Sequence, residues 1–80
     1  MSNMLLDGPK IQEVFGWNLR KRLKDKNMTQ TKLAIDLGIS RLIVGRWVSG
    51  SGIPKPRLMA KVCNALECTP DYLMKDHYAG

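Results

Sequence analysis

Residues 30–49, QTKLAIDLGISRLIVGRWVS, leave this chain few ways to fold. Thr29 is placed to cap a helix, because its hydroxyl can accept one of the backbone N–H groups that a first turn leaves without a partner. Behind it Leu33, Ala34 and Leu37 share one face before Gly38 ends the helix. Leaving a helix there calls for a positive φ, which costs a residue with a Cβ about 1 kcal/mol or more. Ile39 then plugs the turn, and Ser40 can cap a second helix. In that helix Val44, Trp47 and Val48 point one way, while Leu42, Gly45, Arg46 and Ser49 point the other. Helices meeting steeply through so short a turn need small residues where their backbones approach, and Ala34 and Gly38 are small.

An ordinary αα-hairpin would use the same small residues. The outward face differs, since it carries arginine, a leucine and small side chains in place of the Glu/Lys mixture of a solvated helix. Hydrogen-bond donors and one apolar side chain on a firmly backed helix suit the major groove of DNA. Charge points the same way. Lys+Arg 13 against Asp+Glu 7 in 80 residues gives a net charge of +6, which favours an anionic partner. Nucleic acid and an anionic membrane both qualify, but the apolar runs are far shorter than the roughly 18 residues needed to span a bilayer. Met1 to Gly8 has no basic start and no long apolar stretch, so no signal peptide is expected.

At this length one core is just sufficient without staples, so a single small domain is expected. Cys63 and Cys68 are read as reduced thiols in a cytoplasm. Zinc would need them, His77 and a fourth ligand, and no CxxC or HxxxH spacing supports it, so no metal and no cofactor are expected. The lone histidine lies in the last residues, with nothing to place it near a nucleophile, so no catalysis is expected.

Residues 1–10 contain Asp7-Gly8-Pro9, lack periodicity and read as an N-terminal arm. Apolar residues Ile11, Val14, Phe15, Leu19 and Leu23 then predict a helix from Ile11 to about Lys26. Arg20, Lys21, Arg22, Lys24 and Lys26 crowd its second half, where cations either complement the helix dipole or meet phosphate. After the loop around Gly50-Ser51-Gly52, the stripe Met59, Val62, Cys63 and Leu66 predicts a helix over 56–66. Thr69-Pro70-Asp71 reads as N-cap, first-turn proline and first-turn acid, which predicts a short last helix carrying Tyr72, Leu73 and Met74. Without any strand pattern, the expected fold is all-α, a compact bundle of about five helices with a central helix-turn-helix. Its domain should cover 11–75, followed by a tail over 76–80.

The arrangement of Gln30, Ala34, Gly38, Val44 and Trp47 resembles the phage repressor and Cro group of helix-turn-helix proteins. The resemblance extends over roughly residues 15–75, and the ending ALECTPDYL, 65–73, is similar to the close of lambdoid repressor DNA-binding domains. It implies a sequence-specific DNA-binding regulator, a repressor that binds a near-palindromic operator as a homodimer with the second helix of the motif in the major groove. On this resemblance Arg41, Leu42 and Arg46 fall on base-reading positions, and Gln30 on a phosphate-touching one. Lys32 strengthens the anion site at that helix start. Ser40, Ser49 and Lys55 are further backbone contacts. Many relatives pair an arginine in helix one with a glutamate after the tryptophan position, and here Leu23 and Val48 stand there. A direct Leu23–Val48 contact is therefore expected, with Arg20 or Arg22 taking over the arginine's phosphate role.

Ile35 and Ile43 are expected to be partly buried at helix edges. Tyr72, Met74 and Tyr78 are the expected dimer surface, with packing of Tyr72 on helix one as the other reading. Three further roles stay open: an antitoxin of the same fold with a toxin partner, the DNA-binding part of a longer repressor, and a protein-interaction module without DNA.

Overall fold

A computed structural model describes residues 10–77. It contains α1 (Ile11–Asp25), α2 (Gln30–Leu37), α3 (Arg41–Val48), α4 (Pro56–Leu66) and α5 (Pro70–Met74), with no strand among the described residues. Helix α1 packs against α3 and α5, and α2 packs against α3 and α4. The all-α bundle with a central helix-turn-helix is therefore the observed architecture.

Local chemistry sets the helix ends. The hydroxyls of Thr29, Ser40 and Thr69 accept from the backbone N–H of Lys32, Leu42 and Tyr72 at 3.0, 3.1 and 3.1 Å. Pro56 and Pro70 open α4 and α5, where a missing N–H costs nothing. Lys10 is not part of a loose arm: it is the N-cap of α1, and its N–H donates to the Glu13 carboxylate at 3.3 Å. The rest of the expected arm, and residues 78–80 of the expected tail, lie outside the described residues. His77 within that tail instead folds back, its Nε2 3.0 Å from the Tyr72 carbonyl oxygen and its ring beside the Tyr72 ring.

Phe15, Leu19, Leu23, Leu33, Val44, Trp47, Val62, Leu66 and Leu73 form one buried cluster. One apolar expectation fails: Ile35 is 69% exposed on the outer side of α2. Asn18 is the one buried polar side chain among the described residues. Its Nδ2 donates to the carbonyl oxygens of Leu73 and Lys75 at 2.8 and 2.7 Å and lies 3.4 Å from that of Tyr72. The C-terminal end of this short helix is thereby tied to α1.

Candidate nucleic-acid interface

The interface is built by fixing one side of α3 and leaving the other bare. Gly38 takes φ 70, ending α2 in the left-handed conformation, and the N–H of Ile39 closes the turn on the Ala34 carbonyl at 3.0 Å. On the inner side Val44 and Trp47 are buried, and the Trp47 ring meets Phe15 edge to face, with centroids 6.3 Å apart. Gly16 lets α1 and the end of α3 come together. A Cβ there would lie 2.7 Å from the Trp47 carbonyl oxygen and 3.0 Å from that of Val48.

On the outer side Arg41, Leu42 and Arg46 are exposed together, Leu42 at 78%. Helix α3 contains no acidic residue, and no salt bridge among the described residues engages Arg41 or Arg46. Gln30, at the first position of α2, reaches across to this helix: its Oε1 is 4.0 Å from where a Cβ on Gly45 would sit. The Ser49 hydroxyl donates to the Arg46 carbonyl oxygen at 3.0 Å and lies 3.0 Å from the Ser51 hydroxyl, closing the end of the helix.

The other expected phosphate ligands divide. Arg20 lines a pocket of about 290 Å³ with Glu13, Trp17, Val48, Ser49 and Gly50, so it stands at the end of α3. Lys55 is exposed just before α4. Lys32 is exposed but its ammonium meets Asp36 one turn on, at 2.6 Å. Arg22 does not join this face. Its Nε and Nη2 donate to the carbonyl oxygens of Leu66 and Glu67 at 2.9 and 2.7 Å, and its guanidinium lies over the Tyr72 ring. These are the acceptors that the end of α4 leaves unpaired, so Arg22 acts as a C-cap. Lys26 adds an ion pair to Glu67, which holds that carboxyl below its ordinary range.

Tyr72 packs on Arg22 and His77 within the chain, and Met74 is half-buried against the core, while Tyr78 lies outside the described residues. Leu23 and Val48 both join the apolar cluster. Val48 is bordered on its outer side by Trp17 and Arg20, however, whereas Leu23 is buried further along α1. Ile43, expected to be partly buried, keeps 40% of its surface exposed beside Ile53 and Leu58. Burial pushes the Cys63 thiol up to about 11, with Cys68 beside it adding to the shift, and burial raises Cys68 as well. Neither thiol is a poised nucleophile at neutral pH. No cluster of metal-ligating side chains occurs among the described residues.

The residues missed by sequence reasoning are Gly16 and Asn18. Asn18 follows Val14 by four and Phe15 by three, so it sits on the core stripe, and a polar residue there implies a buried partner.

Residues 19–73 match the family described as "Helix-turn-helix", and the chain belongs to that family. It is 36% identical over 62 residues to the uncharacterized HTH-type transcriptional regulator YqaE of Bacillus subtilis (strain 168), an overlap of 78% of this chain and 53% of YqaE. It is 29% identical over 63 residues to repressor protein C2 of Salmonella phage P22, covering 79% of this chain and 29% of that repressor. The chain thus spans about half of the first relative and under a third of the second. Among solved structures, the SOS-response transcriptional repressor LexA from Eubacterium rectale superposes with a TM-score of 0.81 over 90% of this chain and 77% of that one, at 21% identity, a likeness of fold. No described helix is long and apolar enough to cross a membrane.

Proposed function

We propose that this chain binds double-stranded DNA sequence-specifically, as a homodimer on a near-palindromic operator, and represses transcription by occluding a promoter. The observation that carries the reading is the exposed, ion-pair-free Arg41–Leu42–Arg46 face of a helix whose opposite side is locked into the core. An arginine guanidinium can donate two hydrogen bonds to guanine O6 and N7, worth about 1–3 kcal/mol of discrimination, and leucine packs on thymine methyls. Gln30 and the free N–H groups at the start of α2 are suited to a phosphate oxygen. Lys32, Ser40, Ser49, Lys55 and Arg20 complete the backbone grip, with Arg22 left to its structural role. The family and its repressor relative support repression. The dimer surface on this reading comprises the part-exposed Tyr72 and Met74 of α5 together with Tyr78, which lies outside the described residues. Selecting bound sequences from a random DNA pool, with mass measurement of the complex, tests site, symmetry and stoichiometry together. An asymmetric site bound by one chain would contradict the homodimer, and no enriched sequence would contradict specific recognition.

A further inference from the structure

We infer that the groove between α3 and α4 is a docking site for an acidic, amphipathic segment of a partner protein. It encloses about 400 Å³ and is lined by Ile43, Trp47, Ile53, Pro54 and Leu58, with Lys55, Arg57 and Lys61 along its edge. Trp47 and Pro54 make a buried floor, Ile53 and Leu58 are half-buried, and Ile43 keeps 40% of its surface exposed. The three cations at the edge are exposed, none has an ion pair among the described residues, and α4 itself contains no acidic residue. Apolar side chains on a concave surface are left in contact with water, and a partner's apolar side chains would displace that water.

Charge complementarity selects the occupant. A second copy meeting this groove across a two-fold axis would set Lys55, Arg57 and Lys61 against the same cations of its partner, without a carboxylate to separate them. Duplex DNA satisfies the cations but presents mainly polar edges and phosphates, leaving Ile43, Ile53 and Leu58 unfilled. A helix with apolar residues along one side and Asp or Glu along the other satisfies both floor and rim. The groove shares Ile43 and Trp47 with α3 and borders a smaller recess that includes Arg46, so its occupant would stand beside the outer face of that helix. The inference rests on the groove and not on what α3 reads, although Lys55, assigned above to the DNA backbone, can serve only one of the two partners at a time.

The test uses the full chain, with methyl NMR signals of Ile43, Ile53 and Leu58 followed on titration with a synthetic helical peptide bearing leucine on one face and glutamate on the other. These methyls shift on binding, and the R57E/K61E variant, checked for folding by circular dichroism, binds about tenfold more weakly. A peptide with lysine in place of glutamate restores binding to that variant. Should the variant not fold, the lysine peptide's weaker binding to the unaltered chain gives the same answer. The inference is overturned if the methyls do not move, or if a scrambled peptide of equal charge binds as tightly. It is also overturned if the same shifts appear on concentrating the chain alone, or on removing residues 1–9 without peptide.

Discussion

A Cβ on Gly16 would stand 2.7 Å from the carbonyl oxygen of Trp47, so the absence of a side chain in α1 sets how closely α3 approaches the bundle. Gly38 is a different case: its φ is +70 and nothing lies within 4 Å of a Cβ built there. The two glycines are needed for separate reasons, one packing and one backbone.

Gly16→Ala should accordingly destabilise the fold by about 1–3 kcal/mol, because backbone rather than a flexible side chain must yield. Gly38→Ala should cost about 1 kcal/mol through left-handed strain alone. Urea denaturation reads both. The amide signals of α3 should move widely in the Gly16 variant and stay near the wild-type positions in the Gly38 variant.

Removing Asn18 should loosen the hold of α1 on the C-terminal end of α5. Asn18→Ala leaves the carbonyls of Leu73 and Lys75 without their donor and should cost about 1–3 kcal/mol. Amide exchange in α5 should accelerate more than in α2 or α3. Asn18→Asp should be worse at neutral pH, since a carboxylate would face those carbonyl oxygens with no proton to donate.

The Cys63 thiol links stability to alkaline pH. Its folded value of about 11 lies above the ordinary 9.0, so the folded chain holds that proton where the unfolded chain has lost it. Its contribution is complete below pH 9 and is lost as pH rises from there through 11. The urea midpoint should fall across this window, and the fall should be shallower in Cys63→Ala, where Cys68 remains. Equal slopes in the two proteins would refute the assignment.

Arg20 and Arg22, two residues apart, should behave oppositely. Arg22→Ala removes a cap from α4 and should lower stability while leaving the salt dependence of DNA binding intact. Arg20→Ala should leave stability near wild type and reduce the steepness of the salt dependence by about 1 per subunit.

Most of the architecture was legible because it follows from neighbours along the chain. Thr29, Ser40 and Thr69 cap within three residues, Gly38 and the prolines act on their own φ, and the stripe through Met59, Val62, Cys63 and Leu66 needs only helical periodicity. What escaped depends on partners far away. Arg22 looked like any cation in the second half of α1 until the end of α4 came beside it. Gly16 carries no side chain to betray its neighbour, and its meaning appears only where α3 ends. Ile35 was expected to find cover, but it stays 69% exposed on the outer side of α2. Of the candidate site, the joint exposure of Arg41, Leu42 and Arg46 on the outer side of α3 was legible from the motif.

The central claim is that the outer face of α3 reads DNA sequence, and it is tested most directly by binding to a duplex taken from selection, across a salt series, for the wild type and for R41A/R46A. With about four or five phosphates neutralised per subunit, the wild-type dimer should show a log–log slope of roughly −7 to −9. The double variant, with an unchanged circular dichroism spectrum, should lose its preference for the selected site over random DNA while keeping weak salt-dependent binding. Undiminished preference in that variant, or a wild-type slope near zero, would contradict the account.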